Sequence, residues 1–248
     1  MRSHSFKFFI LCLMLFFSFS SNARTFKNAY ISFEMLDTWK CKLEQTEWVC
    51  RSEDPQESKE AVIILTAKEK GPSDSFVIYQ DHMSKPMTLN LKSGGTIQSK
   101  VTIPPRENLI NDHKWLDSFH TNSEVQNYYT RYVATIKDQI AILITFSAHT
   151  SYYAKHSPNF LKTIQSLRVI ATKDILSRPD LGPIRGSGEF LGDGISQAIP
   201  SDLLAAEDEL NAGGKKGLLQ NEMFLGFLLL LLAAGAYIGI KIYQNKNK

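Results

Sequence analysis

Few side chains in this 248-residue chain have the type and spacing that chemistry needs. Beyond Ala23 there are five histidines, His82, His113, His120, His149 and His156, and two cysteines, Cys41 and Cys50. Metal centres draw their ligands from recurring separations such as His-x-x-x-His on one helix face. The histidines here are scattered without such a pair. Asp81-His82 and Asp112-His113 are neighbours in sequence only, which reads as surface histidine. A Gly-x-Ser-x-Gly elbow, a Walker-type phosphate loop and a Gly-x-Gly-x-x-Gly fingerprint are all missing. A nucleophile and base that meet only in space would leave no such trace. These residues therefore assign no catalytic group, metal ligand or cofactor, and they favour a non-enzyme.

The cysteines carry a different chemistry. In Trp39-Lys-Cys-Lys-Leu-Glu44, Gln45-Thr46 and Glu47-Trp-Val-Cys-Arg51, a two-residue turn at Gln45-Thr46 pairs Glu44 with Glu47, Leu43 with Trp48 and Cys41 with Cys50. The cysteine pair then falls at a non-hydrogen-bonded position, where Cα atoms approach to about 4.5 Å. That is near the short end of the disulfide range. A disulfide acting as a structural staple is expected; a longer turn would shift the register, and two buried thiols are the alternative. A redox role is not expected, because a Cys-x-x-Cys pair is missing.

Recognition is the remaining possibility. Tyr128-Tyr129 and Tyr152-Tyr153, with His149, invite reading as an interaction surface, since tyrosine is favoured at interfaces. In a strand, Tyr128 and Tyr129 point to opposite faces, so one of them faces out or lies under a helix. Simple packing within the sheet competes evenly with this reading.

The two ends of the chain bear on its location. Residues 223–240 form an uncharged apolar run closed by Lys241, Lys246 and Lys248. At about 1.5 Å per residue, this run nearly crosses a hydrocarbon core of about 30 Å. Ile242 and Tyr243 extend it if Lys241 snorkels, and the lysines favour the cytoplasmic side. Gly235 and Gly239 have the Gly-x-x-x-Gly spacing that lets helices approach closely, which leaves open a homodimer through the span. At the other end, Arg2 and Lys7, an apolar stretch and Ser21-Asn-Ala23 read as a secretory signal cut after Ala23. No Asn-x-Ser/Thr site occurs, which favours a bacterial envelope. The expected location is the bacterial cytoplasmic (inner) membrane, with one crossing and the amino-terminal domain in the periplasm. The net charge of +3 is too small to imply a nucleic-acid partner.

Between these ends, periodicity sketches the elements that must position the candidate residues. Tyr30-Ile-Ser-Phe33 alternates as a half-buried strand. Ala61-Val-Ile-Ile-Leu-Thr-Ala67 is apolar on both faces, as an interior strand should be. Ser73 is the expected N-cap of a helix whose Phe76, Tyr79 and Met83 share one face and which stops before Pro86. Residues 87–99 read as irregular. Val101-Thr-Ile103 reads as a strand ended by Pro104-Pro105, and residues 115–120 as another. Residues 128–136 and 140–148 form a hairpin about Lys137-Asp-Gln139, its second strand central. Ser157-Pro158 are the expected N-cap and first residue of a helix with Phe160, Ile164 and Leu167 inward; Arg168-Val-Ile170 then closes the sheet.

This order predicts an α+β fold, with helices sandwiching an antiparallel sheet. Here the chain resembles the PsbP-like fold family, which is shared by extrinsic photosystem subunits and Ran-binding nuclear-transport factors. The resemblance lies in Phe26-Lys-Asn-Ala-Tyr-Ile-Ser-Phe33 followed by Trp39, the strand at 140–148, and Pro158-Asn-Phe-Leu-Lys-Thr-Ile-Gln-Ser-Leu167. It covers roughly residues 26–170, and these are packing positions. It implies an α/β/α sandwich serving as a binding or assembly module, and it supplies no catalytic residue. The membrane span and the glycine-rich stretch before it depart from the soluble members.

From 173 to 222 the composition changes. Eight of the fourteen glycines fall there, with Pro179, Pro183 and Pro200, as in a flexible linker. Phe190, Leu191 and Ile195 are apolar residues within it, read either as a docking segment or as ordinary linker. Residues 201–210 read as a short acidic helix. The expected organisation is a signal peptide at 1–23, a PsbP-like extracytoplasmic domain at 24–172, a linker at 173–222, a transmembrane helix at 223–243 and a cytoplasmic tail at 244–248. The expected function is that of a non-enzymatic, membrane-anchored periplasmic domain for protein binding or assembly. The alternative is a small-ligand or lipid-binding envelope module.

Overall fold

Alternating and doubly apolar segments fill most of the chain between Ala23 and Val169, and they assemble into sheet. The computed structural model describes residues 23–90, 94–172, 185–191, 199–200, 203 and 210. The expected signal peptide up to Asn22, the expected span with Gly235 and Gly239, the expected tail, Ile195 and most of the acidic stretch lie outside these residues, and Ala23 opens the first strand. Among the described residues, no helix is long and apolar enough to cross a membrane.

The chain begins with β1 (Ala23–Lys27), β2 (Ile31–Leu36), β3 (Trp39–Glu44), β4 (Glu47–Ser52), a short α1 (Glu57–Glu60), β5 (Ala61–Glu69) and α2 (Phe76–Met83). A small hairpin, β6 (Thr88–Asn90) and β7 (Thr96–Gln98), leads to β8 (Lys100–Ile110), β9 (His113–Thr121), β10 (Tyr128–Lys137) and β11 (Ile140–His149). The order ends with α3 (Tyr153–Ser166) and β12 (Arg168–Val169). Seven strands form one antiparallel sheet in the order β3-β4-β5-β11-β10-β9-β8. β1, β2 and β12 form a second, smaller sheet.

β5 and β11 lie inside the large sheet, and their alternation divides the core in two. Ile63, Leu65, Ile142, Ile144 and Phe146 pack with Phe160 and Ile164 of α3 and with Phe33 of β2. Val62, Ile64, Ala141 and Leu143 face the other way, onto Tyr79 and Met83 of α2. A strand covered on both faces has to be apolar at consecutive positions, which is why β11 is buried along its whole length. The architecture is thus α+β, a predominantly antiparallel sheet with a helix against each face.

The β3–β4 hairpin has the expected register, with Cys41 opposite Cys50 and Leu43 opposite Trp48. Gln45 takes the positive φ of 56° that the tight turn demands. The cysteines are joined as a disulfide, with Cα atoms 3.8 Å apart.

Several elements differ from expectation. The N-cap of α2 is Ser75, whose hydroxyl accepts from Ile78 N at 3.2 Å, and not Ser73. β8 runs on through Pro104-Pro105 instead of ending there. It is an edge strand with register shifts between Val101 and Arg106, where missing N–H donors are tolerated. α3 starts at Tyr153, which leaves Pro158 inside the helix, not at its first position. Proline cannot donate to the Ala154 carbonyl, and the Ser157 hydroxyl donates to it instead at 3.5 Å. Residues 87–99 include the β6–β7 hairpin, and β12 closes the small sheet, not the large one.

The largest departure concerns Arg185 to Leu191, expected to be linker with Phe190 and Leu191 as an alternative docking segment, and bound to the domain as a strap. Arg185 N donates to Ala67 O at 3.1 Å, and Glu69 N donates to Arg185 O at 2.7 Å. β4 pairs with β5 only from Ile63 to Leu65, so Arg185 occupies the edge of β5 beyond that pairing. Its guanidinium pairs with the buried Glu47 carboxylate, and Nε donates to Thr46 Oγ1 at 3.0 Å. Burial raises the Glu47 carboxyl above its ordinary range, and Arg185 pulls it back down in part. Phe190 and Leu191 then pack on the α2 face.

Candidate functional site

Charged side chains interrupt the sheet face beneath α3 where that helix begins. Trp115 and Val133 are sealed in the core on that face. Two and four residues from Trp115 along β9 come Asp117 and Phe119; two and four back from Val133 along β10 come Arg131 and Tyr129. With Ile103, Arg106 and Asn108 of β8 and Tyr153 of α3, Asp117, Phe119 and Arg131 line an open groove of about 420 Å3. That volume lies in the range of small-ligand and side-chain pockets.

The polar floor of the groove is a bidentate ion pair. Arg131 donates from Nε to Asp117 Oδ1 at 2.8 Å and from Nη2 to Oδ2 at 2.5 Å. Asn108 Nδ2 donates to the same Oδ2 at 2.8 Å. Asp117 is 8 % exposed, and with both oxygens taken by donors it has no open part in proton transfer. One wall is aromatic. Ring centroids are 5.5 Å apart for Phe119 and Tyr129, 5.3 Å for Phe119 and Tyr153, and 5.2 Å for Tyr129 and Tyr153. Burial raises the Tyr153 phenol above its ordinary range, so it keeps its proton. The arrangement can hold a ligand and shows no group poised to transform one.

The four tyrosines expected to share a surface are divided by strand alternation. Tyr153 lines the groove, and Tyr129 packs against it. Tyr128 is fully buried on the α2 face, where its hydroxyl donates to Lys59 O at 2.8 Å. Its ring lies 5.4 Å from His149, which is itself 6.0 Å from the ring of Tyr152.

The α2 face holds a smaller cavity of about 50 Å3, lined by Met83, Met87, Glu124, Tyr132 and Leu143 together with Phe190 of the strap. Glu124, tucked in by the β9–β10 loop, accepts from the Tyr132 hydroxyl at 2.5 Å. Burial lifts its carboxyl to about 7, against the opposing pull of that hydrogen bond. Nearby, the buried Asp74 accepts from Lys68 Nζ at 2.5 Å, from Gly71 N at 2.6 Å and from the Tyr79 hydroxyl.

The histidines occupy separate surroundings. His156 Nε2 lies 2.7 Å from Glu60 Oε2, beneath Trp39 and Phe160, and Lys155 donates to the same oxygen at 2.8 Å. His120 Nε2 lies 2.9 Å from Met83 O, and burial lowers its imidazole below the ordinary range. His113 Nε2 lies 2.8 Å from Thr135 Oγ1 and is likewise lowered by burial. The His82 ring lies 4.4 Å from that of Phe190, tilted by 51°. Among the described residues, no three His, Cys, Asp or Glu side chains are grouped to hold a metal ion.

Sequence reasoning missed Arg106, Asn108, Asp117 and Arg131, because three strands bring them together. The signal present was a charge at alternate positions of β9 and β10, on the face that also carries Trp115 and Val133.

No protein-family model and no curated protein matches the chain. It is similar to the solution structure of cyanobacterial PsbP from Synechocystis sp. PCC 6803, at 9 % identity over 62 % of this chain and 95 % of that one, with a TM-score of 0.42. It is similar to the Ran-binding protein Mog1p of Saccharomyces cerevisiae, at 10 % identity over 61 % and 97 %, with a TM-score of 0.38. A Bacteroides thetaiotaomicron structure matches at 12 % identity over 59 % of this chain, with a TM-score of 0.35, and the chain spans only 48 % of its length. The likeness is to PsbP-like folds and concerns architecture alone.

Proposed function

We propose that this chain is a non-enzymatic binding domain, held at the outer face of a bacterial cytoplasmic membrane by the apolar run at 223–240, and that it engages a protein partner through the β8–β10 groove. The observation that carries this reading is the groove itself, where Phe119 and Tyr153, each packed against Tyr129, stand beside Arg106 and Arg131. Tyrosine and arginine are the residue types that dominate interface energetics, because each offers both apolar area and hydrogen bonds. The one carboxylate in the groove is fully engaged by donors, which favours binding over catalysis.

The alternative, a small-ligand or lipid-binding module, draws on the cavity beneath Phe190. Its volume of about 50 Å3 suits a few waters and falls well short of an acyl chain. The groove is therefore the better candidate.

Photo-crosslinking in whole cells tests the proposal. A photoreactive phenylalanine in place of Tyr129 is expected to give a discrete protein adduct of the full chain. Adducts with lipid or small molecules alone would defeat it.

A further inference from the structure

Counting which hydrogen-bonding groups of the groove remain free says what must fill it. Asp117 is consumed by Arg131 and Asn108. Arg131 uses Nε and Nη2 in that pair, which leaves the Nη1 donors. Arg106 is exposed and has no hydrogen-bond or ion-pair partner among the described residues, although its strand register sets it opposite Asp117. The Tyr153 hydroxyl, kept protonated by burial, has no partner among them either. The free groups are thus mostly donors: a whole guanidinium, one further guanidinium nitrogen and a phenol, against the amide oxygen of Asn108. Two arginines and one aspartate also leave the groove with a net charge of +1.

A donor-rich, cationic site wants an anionic acceptor, and planar guanidinium groups match a carboxylate. The rest of the lining is apolar. Ile103 is 43 % exposed, and the Phe119 and Tyr153 rings extend the apolar wall. About 420 Å3 is also far more than a bare anion occupies. We infer, building on the proposed protein partner, that the groove receives an acidic side chain of that partner, an Asp or Glu flanked by an apolar residue, its carboxylate held by Arg106 and Arg131 and its neighbour packed on Phe119 and Tyr153. The Asp117–Arg131 pair is then a positioning device. It fixes the Arg131 guanidinium through Nε and Nη2 and leaves the Nη1 donors for the ligand.

The test is selection of heptapeptides from a random displayed library on the detergent-solubilised full chain. Peptides that bind are expected to share an Asp or Glu beside Leu, Phe or Tyr. Replacing that acid by its amide should weaken binding about ten-fold or more, the effect of losing a charge-assisted contact. Arg106→Glu should abolish binding and Arg106→Gln should weaken it. Both variants should melt like the parent, because Arg106 is exposed and unpaired. Raising the salt concentration should weaken binding further. The inference is overturned if the library yields no binder or binders without an acid, if the amide binds within two-fold, if Arg106→Glu binds normally, or if inorganic phosphate competes as well as acetate does. The whole-cell crosslink at Tyr129 depends on neither Arg106 nor peptide charge. It judges the protein-partner reading separately.

Discussion

Tyr129 of β10 and Tyr153 in the first turn of α3 meet edge to face, with ring centroids 5.2 Å apart and planes at 79°. Two features produce this contact. Strand alternation turns Tyr129 to the α3 side while Tyr128 goes to the opposite core, and α3 begins early enough to carry Tyr153 over the sheet. The pair joins the helix to the strands, and Tyr153 lines the groove.

Replacing Tyr153 by alanine should therefore affect both stability and binding. Loss of the half-buried ring is expected to cost about 1–3 kcal/mol in urea unfolding. Tyr153→Phe keeps the ring contacts and should stay within about 0.5 kcal/mol of the parent. Unfolding midpoints of the two variants check this; equal effects would mean that the ring contributes nothing.

Glu124 makes the domain more stable in mild acid than its other groups would. The folded carboxyl titrates near 7 and the free side chain near 4.5. Below both values the folded and unfolded chains each hold the proton, and between them only the folded chain does. The contribution present at low pH is therefore lost as pH rises through about 7, by about 3 kcal/mol in total. His113 and His120, lowered by burial, act with the opposite sign as pH falls. The difference between the parent and Glu124→Gln isolates the carboxyl. That difference should favour the variant increasingly from pH 5 to pH 8, and a flat difference would contradict the assignment.

The strap depends on a glycine. A Cβ at Gly71 would lie 2.1 Å from Ser187 O, so Gly71→Ala must displace the segment. Limited proteolysis should then cut within 185–191 faster than in the parent, with stability lowered by about 1–3 kcal/mol. Arg185→Met should do more, since it leaves the buried Glu47 without its cation, at a cost of about 3 kcal/mol. Parent-like cleavage in both variants would show that the strap is not held by these contacts.

The Cys41–Cys50 bond closes a short loop. Replacing both cysteines by alanine should cost about 2–3 kcal/mol by the loop-entropy account and leave the hairpin register intact. Mass spectrometry should find two fewer hydrogens before reduction than after, and free thiols in the protein as isolated would count against the bond.

Local pattern made much of this fold legible. A two-residue turn was enough to set Cys41 opposite Cys50, and the doubly apolar runs in β5 and β11 identified the central strands. Phe160 and Ile164 marked the buried face of α3 correctly even though its start was misplaced. Proline was where reading failed. Pro104-Pro105 suggests a strand end and Pro158 a helix start, but an edge strand and a helical serine hydroxyl absorbed the missing donors. Of the strap, Phe190 and Leu191 were read as either a docking segment or ordinary linker, and Arg185 went unseen because it recognises Glu47 and the β5 edge only through tertiary structure, within a stretch whose glycine content reads as linker. The groove was half visible. Tyr129 and Tyr153 stood out by type, whereas Arg106 and Arg131 are ordinary charges until three strands bring them beside Asp117.

Whether the β8–β10 groove binds a protein is tested by a paired photo-crosslink. The photoreactive residue is placed at Tyr129 in one full-length chain and at Leu43, 43 % exposed on the opposite edge strand, in another. A discrete protein adduct is expected from Tyr129 and none from Leu43. Equal adducts from both positions, or no protein adduct from Tyr129, would contradict protein binding there.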